Sequence, residues 1–201
     1  MQLKVKCNKE NIVKASKIIK NGGIVVFPTD TAYGIGCNPY DKEAIKRIYK
    51  IKSRETSKSF PILAFSKNVA AKIVEFDKDS EKIAQKIWPG PLTLILKLID
   101  EKLKASLNGI DKIAVRVPKH QCVLELLKKC NFVVGTSANI SGTGPFRNPQ
   151  ECYQNIQNFD LFLDGGIITS EGESTIIEFK DGKLKIHREG VLTRNEILKM
   201  L

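Results

Sequence analysis

Histidine and closely spaced cysteine pairs, the usual ligands of metal and redox sites, are scarce in this sequence. Only His120 and His187 occur among 201 residues, and none of the five cysteines belongs to a Cys-x-x-Cys pair. An odd cysteine count without such spacing argues against a disulfide framework, so we expect reduced thiols and a cytoplasmic protein. His120, Cys122 and Cys130 fit helical spacing, and we predict no metal site.

Long apolar runs and known nucleotide-binding loops are missing as well. The longest apolar stretch, Leu92–Ile99, is interrupted by Thr93 and Lys97 and is too short for a membrane span. The first ten residues lack the apolar core of a signal peptide. There is no G-x-x-x-x-G-K-[ST] loop, and Gly34–Gly36 does not complete a G-x-G-x-x-G motif. A membrane span and a Walker or Rossmann site are therefore not expected.

Positive charge is abundant and unevenly distributed. Lysine and arginine number 33 against 22 acidic residues, which gives a net charge of +11. Residues 1–100 hold 19 basic and 10 acidic residues, whereas residues 101–201 hold 14 and 12. A basic half of the chain predicts an anionic partner such as a nucleotide, pyrophosphate or RNA.

Helical and strand-like patterns alternate along the chain, and no repeat or flexible linker divides it. Asn8 and Asp41 are predicted N-caps, Asp181–Gly182 a hairpin turn, and Thr193 with Glu196 a capping box. The alternation predicts an α/β fold, a single domain over residues 1–201 with a twisted mixed sheet and flanking helices. Helices are predicted at residues 8–20, 41–51, 68–74, 80–87, 120–129 and 149–158, and from residue 193 onward. Strands are predicted at residues 24–27, 62–65, 92–98, 113–117, 132–134, 161–163, 175–179 and 184–187, with a polar loop at 135–148.

Two polar segments follow predicted strands, and strand ends are where α/β sheets bind ligands. The first contains Thr29, Thr31 and Tyr33, whose hydroxyls could line a small pocket or satisfy only their own turn. The second, residues 135–142, is rich in small hydroxyl and amide side chains. Hydroxyls and exposed backbone N–H groups suit a phosphate or a carboxylate, although a turn-rich loop would look the same.

Two arginines stand out among the six in the chain. Arg54 alternates with Lys52 just after a predicted helix, so both side chains could point into a cleft; the helix dipole alone could also explain these charges. Arg116 lies in an otherwise apolar predicted strand. A guanidinium there needs a structural carboxylate or a bound anion, and its fork suits bidentate contact with an oxyanion.

Taken in order, these segments resemble the YrdC/TsaC family of threonylcarbamoyl-AMP synthases. The shared strings are FPTDTAYGIG, the Lys52-x-Arg54 pair, WPGPLTLIL, AVRVP, TSANISG, ESTII and HREG, and they cover residues 22–190. The resemblance implies a reaction of L-threonine, bicarbonate and ATP that yields threonylcarbamoyl-AMP and pyrophosphate, with Mg²⁺ entering alongside ATP. It also implies a downstream threonylcarbamoyl-transferase complex that modifies an adenosine of tRNA.

The resemblance also implies roles for nine residues. Those implied to be catalytic are Lys52 and Arg54. Those implied to bind threonine are Thr31, Arg116 and Ser174. Those implied to bind ATP are Lys52, Arg54, Lys58, Ser137, Asn139 and Arg188. Two departures from the family pattern are Ser59–Phe60 before Pro61 and Glu189 in place of a proline after Arg188.

Two other functions are compatible with the sequence. An RNA-binding module of the same fold, or weak RNA binding beside catalysis, would use the net charge of +11. Aromatic residues make up only 7% of the chain, and no RNP-like aromatic string is present. A hydrolase or sensor of carbamoyl groups could use the same polar segments.

Overall fold

Short runs of β-branched and aromatic residues form the buried centre of the protein. Every residue of Val25–Pro28, Tyr33–Cys37 and Ile62–Ala64 is buried. Such runs suit central strands that are covered on both faces. The computed structural model describes residues 3–180 and 182–201, and these residues form one mixed sheet of eleven strands with eight helices. The predicted α/β class is therefore confirmed.

The elements follow one another in alternation for most of the chain. The strands are β1 Leu3–Lys6, β2 Val25–Pro28, β3 Tyr33–Cys37, β4 Ile62–Ala64, β5 Val74–Glu75, β6 Leu92–Leu98, β7 Lys112–Arg116, β8 Phe132–Ser137, β9 Leu161–Asp164, β10 Thr175–Lys180 and β11 Lys183–Arg188. The helices are α1 Lys9–Lys20, α2 Lys42–Lys52, α3 Lys67–Ala70, α4 Lys78–Ile87, α5 Glu101–Ser106, α6 Gln121–Cys130, α7 Pro149–Asn155 and α8 Arg194–Met200.

The strand directions divide several strand ends between the two ends of the sheet. The order is β1-β9-β2-β3-β8-β4-β7-β6-β10-β11, with β5 paired to β6. Strand β3 runs antiparallel to β8 with Gly34 opposite Ser137, and β6 runs parallel to β10 with Leu92 opposite Thr175. The end of β8 and the start of β3 meet at one end of the sheet. The end of β7 meets the starts of β6 and β10 at the other end, because β4 runs parallel to β7 and antiparallel to β8.

The two faces of the sheet are covered by different parts of the chain. Along β2 the side chains alternate, so that Val25 and Phe27 join one hydrophobic cluster while Ile24 and Val26 join another. The first cluster contains the inner faces of α1 and α6, and the second contains those of α2 and α4. This alternation has the two-residue period of a strand.

Helix-capping predictions are confirmed in the structure. The Asn8 side chain accepts the N–H of Asn11, and the Asp41 carboxylate accepts two N–H groups of the first turn of α2. Thr193 and Glu196 form both halves of the capping box. The predicted turn at Asp181–Gly182 includes Asp181, which lies outside the described residues.

Several elements differ from the prediction for a physical reason. The segment from Tyr33 was expected to be a loop but forms β3, and β8 continues to Ser137 because it pairs with β3. This pairing is close, since a Cβ at Gly36 would collide with the carbonyl oxygen of Val134. The helix predicted over 68–74 ends at Ala70, and Val74 begins β5. Strand β1 and helix α5 were not predicted at all.

The expectation of reduced thiols is wrong for two of the five cysteines. Cys7 follows β1, Cys122 lies in the first turn of α6, and the two form a disulfide with Cα atoms 6.0 Å apart. Cys37, Cys130 and Cys152 are free. The two bonded residues are 115 positions apart, so local spacing could not show the pair. An odd number of cysteines excludes only the case in which every cysteine forms a disulfide within the chain.

Among the described helices, none combines the length and the apolar content needed to cross a bilayer.

Reducing the Cys7–Cys122 disulfide should lower the free energy of unfolding by about 2–4 kcal/mol, because the bond restricts a long loop of the unfolded chain. Chemical denaturation with and without a thiol reductant measures the change. Cys7→Ser should reproduce it, whereas Cys130→Ser alters a free thiol and serves as the control. Coincident transitions for the oxidised and reduced protein would contradict the prediction.

Candidate active site

A cleft with two adjoining compartments is lined by residues of β3, β4, β6, β7, β8 and β10 and of the segments that precede β3 and β10. The inner compartment is a cavity of about 190 Å³, and the outer one is a cavity of about 360 Å³. Arg54, Ser137, Glu173 and Arg188 line both, so the two compartments adjoin along these residues. Further polar residues of the inner compartment are Thr29, Thr31, Tyr33, Thr93, Arg116, Thr136 and Ser174. Further polar residues of the outer compartment are Lys52, Ser53, Glu55, Lys58, Asn139 and Ser141.

Arg116 is the buried cation of the inner compartment, and a carboxylate compensates its charge. Its Nη2 lies 2.6 Å from Asp30 Oδ1, its Nη1 donates to Thr31 Oγ1 at 3.0 Å, and its Nε donates to the Gly90 carbonyl at 3.0 Å. Burial lowers the pKa of Arg116, and the Asp30 carboxylate opposes that shift. A guanidinium has five N–H groups, so two remain for a ligand. Asp30 is thus the structural carboxylate that the sequence argument required.

Two of the hydroxyls near Thr31 form hydrogen bonds with backbone groups. Thr29 Oγ1 donates to the Ala32 carbonyl at 2.6 Å and accepts the N–H groups of Thr31 and Ala32. Tyr33 donates its hydroxyl to the Gly166 carbonyl at 2.8 Å. Thr29 therefore satisfies its own turn, as the structural alternative expected, whereas the Tyr33 hydroxyl binds the backbone of the segment after β9. Thr31 remains the hydroxyl that joins Arg116 to the cavity.

Arg188 fixes the start of β10 beside the inner compartment. Its Nε and Nη2 donate to the Ser174 carbonyl at 3.1 and 2.9 Å, and Nη2 also lies 3.1 Å from Ser174 Oγ. Ser174 Oγ in turn shares a hydrogen bond of 3.0 Å with Thr93 Oγ1. The remaining Nη1 is 2.9 Å from the Glu173 carboxylate. The position of Ser174 is thereby fixed by neighbours on β6 and β11.

Lys52 organises the loop that follows β8. The side chain is only 2% exposed, and its ammonium donates to Ser137 O at 2.5 Å, Asn139 O at 2.8 Å and Asn139 Oδ1 at 3.0 Å. Its carbonyl also accepts the N–H of Ser141. All three ammonium protons are thus used, and Lys52 holds Ser137 and Asn139 in place instead of projecting freely into the cleft. Burial lowers its pKa to about 8; Arg54 adds to the shift and Glu173 opposes it.

Arg54 and Lys58 lie toward the outer compartment. Arg54 donates from Nε to the Lys58 carbonyl at 3.2 Å, and its guanidinium carbon is 5.3 Å from the ring centre of Phe60. Lys58 has a side chain 63% exposed and pairs with Glu55 at 3.3 Å. Phe60, part of the departure from the family pattern, is fully buried. It therefore anchors this loop under Arg54.

All nine residues singled out from the sequence line the cleft. Thr31, Arg116 and Ser174 line the inner compartment, and the six residues assigned to ATP line the outer one. Sequence reasoning missed Asp30, Thr93 and Glu173 as members of the site. The signals were present: Asp30 sits between two threonines after a strand, and Thr93 interrupts an apolar strand.

The fold and the cleft define an α/β protein with a polar, arginine-rich site lined by strands of its sheet. The family model Sua5_yciO_yrdC, described as "Telomere recombination", matches residues 17–190, and the chain belongs to this family.

Named relatives agree with this assignment. A putative threonylcarbamoyl-AMP synthase of Methanocaldococcus jannaschii is 36% identical over 180 residues, 88% of this chain and 84% of that one. The threonylcarbamoyl-AMP synthase of Pyrococcus abyssi is 32% identical over 93% of this chain, which spans 56% of the longer relative. A crystal structure of P. abyssi Sua5 complexed with L-threonine superposes with a TM-score of 0.91 at 30% identity, covering all of this chain and 60% of that one.

Buried Lys52 should make stability rise with pH between about 8 and 10.5, because the unfolded lysine keeps its proton over this range and the folded one loses it. The penalty of burying the charge is full below pH 8 and is relieved above it, with a slope of at most about 1.4 kcal/mol per pH unit. Lys52→Met removes this titration. Chemical denaturation across the pH range should therefore show a smaller slope for Lys52→Met than for wild type.

The exposed neighbour Lys50 provides the control, since Lys50→Met should keep the wild-type slope. Equal slopes for wild type and Lys52→Met would show that Lys52 titrates normally.

Proposed function

We propose that the protein is an L-threonylcarbamoyladenylate synthase, a nucleotidyltransferase that converts L-threonine, bicarbonate and ATP into threonylcarbamoyl-AMP and pyrophosphate. The observation that carries the proposal is that the two compartments adjoin and share Arg54, Ser137, Glu173 and Arg188 in their lining. A small amino acid in the inner compartment would lie directly beside phosphates in the outer one. The named relatives support this activity, including the one whose crystal structure contains L-threonine.

The inner compartment suits a small hydroxy amino acid. Two N–H groups of Arg116 are free to receive a carboxylate, and the Thr31 and Ser174 hydroxyls lie beside it in the cavity lining. A charged, bidentate contact of this type is stronger than a neutral hydrogen bond. Asp30 holds the guanidinium in one orientation before the ligand arrives, which lowers the cost of ordering it.

The outer compartment suits the phosphates of ATP. Arg54, Lys58 and Arg188 supply positive charge, and Ser137 and Asn139 lie on the loop that Lys52 holds. In the proposed reaction the threonine amine attacks bicarbonate to give a carbamate and water, and a carbamate oxygen then attacks the α-phosphorus of ATP and breaks its bond to the pyrophosphate. Pyrophosphate leaves against the cations. Such a reaction needs positioning and charge stabilisation and no protein nucleophile.

Magnesium is proposed to enter with ATP. Across residues 3–180 and 182–201, no three His, Cys, Asp or Glu side chains converge to hold a metal ion. Phosphate oxygens and water are ligands that Mg²⁺ prefers, and Glu55 of the outer compartment could add a carboxylate oxygen. The ion would neutralise part of the phosphate charge.

The product would pass to a threonylcarbamoyl-transferase complex that modifies tRNA. The net charge of +11 also favours weak RNA binding as a second function of the same surface. A steep salt dependence without sequence preference would mark that binding as general electrostatic attraction.

Pyrophosphate release tests the proposed activity. Release should require ATP, L-threonine and bicarbonate together, and omission of either threonine or bicarbonate should bring it to background. Release from ATP alone at the same rate would identify a different hydrolytic activity and reject the proposal.

Arg116→Ala should weaken threonine binding by about 2 kcal/mol or more, roughly 30-fold, because the carboxylate loses a charged partner. Isothermal calorimetry with threonine measures the effect, and circular dichroism checks the fold. Arg116→Lys keeps a charge opposite Asp30 but loses the fork, so it should also bind threonine more weakly than wild type. The exposed Arg194 gives the matched control, and Arg194→Ala should bind threonine normally. Wild-type affinity for threonine in both Arg116 variants would show that the threonine carboxylate binds at another residue.

A further inference from the structure

Glu173 is the one acidic residue that lines the inner compartment within the described part of the chain. The same wall carries three guanidinium groups, those of Arg54, Arg116 and Arg188. Asp30 lies behind this wall, where its Oδ1 is taken up by Arg116 and by the N–H of Lys119. A positive group that enters the compartment therefore meets a single carboxylate.

The position of Glu173 is set by the backbone around it. Its carbonyl accepts the N–H of Val191 at 2.9 Å, and the next residue, Ser174, is held by Arg188. The carboxylate itself forms an ion pair of 2.9 Å between Oε1 and Arg188 Nη1, with the side chain 39% exposed. Because Glu173 also lines the outer compartment, it stands where the two spaces join.

The chemistry of an amino acid substrate explains why a carboxylate belongs there. Threonine carries an ammonium group next to its carboxylate, and a wall of guanidinium groups alone would repel that ammonium. The ammonium is also unreactive until it loses a proton. The proposed reaction takes place at this nitrogen, and its next step takes place at the phosphate, so the nitrogen belongs at the junction.

We propose that Glu173 binds the α-ammonium of the amino acid substrate and accepts a proton from it; this rests on the proposed function. One ammonium proton moves to the Glu173 carboxylate, and the nitrogen forms a bond to the carbon of bicarbonate. The C–OH bond breaks, and the departing hydroxide takes a second proton as water. The third proton stays on nitrogen, and the carbamate keeps one negative charge for attack on phosphorus.

The competing explanation is that Glu173 only neutralises and orients Arg188. The two roles are separated by comparing L-threonine with its deaminated analogue 2,3-dihydroxybutanoate of the same configuration, in which a neutral hydroxyl replaces the ammonium. Loss of an ion pair with the ammonium affects threonine alone, whereas misplacement of Arg188 affects both ligands. The comparison combines one change in the ligand with one change in the protein, as in a double-mutant cycle. It therefore measures the coupling between the ligand's ammonium and the Glu173 side chain.

Calorimetry should show that wild type binds threonine about tenfold or more tightly than the analogue, the ratio expected for one charged contact. Glu173→Gln should reduce this ratio to about twofold and lower turnover in pyrophosphate release. Glu189→Gln removes the same charge from an exposed position next to Arg188 and should keep the wild-type ratio. Equal melting temperatures confirm that the variants are folded.

An unchanged ratio in Glu173→Gln, with both ligands weakened equally, would overturn the proposal. Tighter ATP binding by Glu173→Gln, with an unchanged preference for threonine over the analogue, would also overturn the proposal. That result would show that Glu173 competes with phosphate for Arg188. If wild type binds no threonine, the proposed function fails as well; if wild type binds threonine and only the ratio test fails, the role of Glu173 alone is wrong.

Discussion

The close antiparallel pairing of β3 with β8 is the constraint on which the cleft depends. It brings Gly34 opposite Ser137 and Gly36 opposite Gly135, and it leaves no room for a side chain at Gly36, whose Cβ would collide with the Val134 carbonyl oxygen; the space at Gly135 is taken by the Leu63 side chain of β4. A Cβ at Gly135 would lie 2.5 Å from Leu63. Without this approach, the turn before β3 and the loop after β8 would not face the same space. The turn before β3 and the end of β8 both line the inner compartment, and the loop after β8 lines the outer one.

The positive charges of the cleft are compensated by different kinds of partner in its different parts. Arg116, in the inner compartment, is neutralised by Asp30 and also donates to two neutral acceptors. Lys52 has backbone carbonyls and an amide oxygen instead of a carboxylate, which is why burial lowers its pKa. Lys58, at the rim, remains hydrated and forms an exposed pair with Glu55 that contributes little to stability. The outer compartment, where phosphate is proposed to bind, thus contains a cation whose ion pair is exposed and weak.

The sequence was sufficient for the elements whose signals are local. Caps at Asn8 and Asp41 and the capping box at Thr193 depend on residues two or three positions apart, and they are confirmed. Strand β3 was missed because its glycines resemble a flexible loop until a partner strand is known. The disulfide between Cys7 and Cys122 depends on a tertiary contact, which spacing along the chain does not reveal.

The site residues also divide into those with a local sequence signal and those that depend on a tertiary contact. Arg116 could be singled out because a charge in an apolar strand requires compensation, but the identity of Asp30 as its partner needed the structure. Lys52 was expected in the cleft on the basis of its neighbour Arg54, and only the hydrogen bonds show that its ammonium serves the loop. Residue type therefore indicated the chemistry of the cleft, while the direction of each side chain depended on which acceptors the fold placed nearby.

Rigidity of the inner compartment follows from connections outside it. Asp30 accepts the N–H of Lys119 at 2.9 Å as well as a guanidinium proton of Arg116. Lys119 leads into α6, which begins after His120 and is tied to the end of β1 through Cys122. The carboxylate that orients Arg116 is therefore held by a helix that is itself covalently anchored. The Arg54–Phe60 loop has mostly exposed residues and one buried aromatic anchor, so the phosphate side of the cleft is the part that the fold leaves freer to adjust.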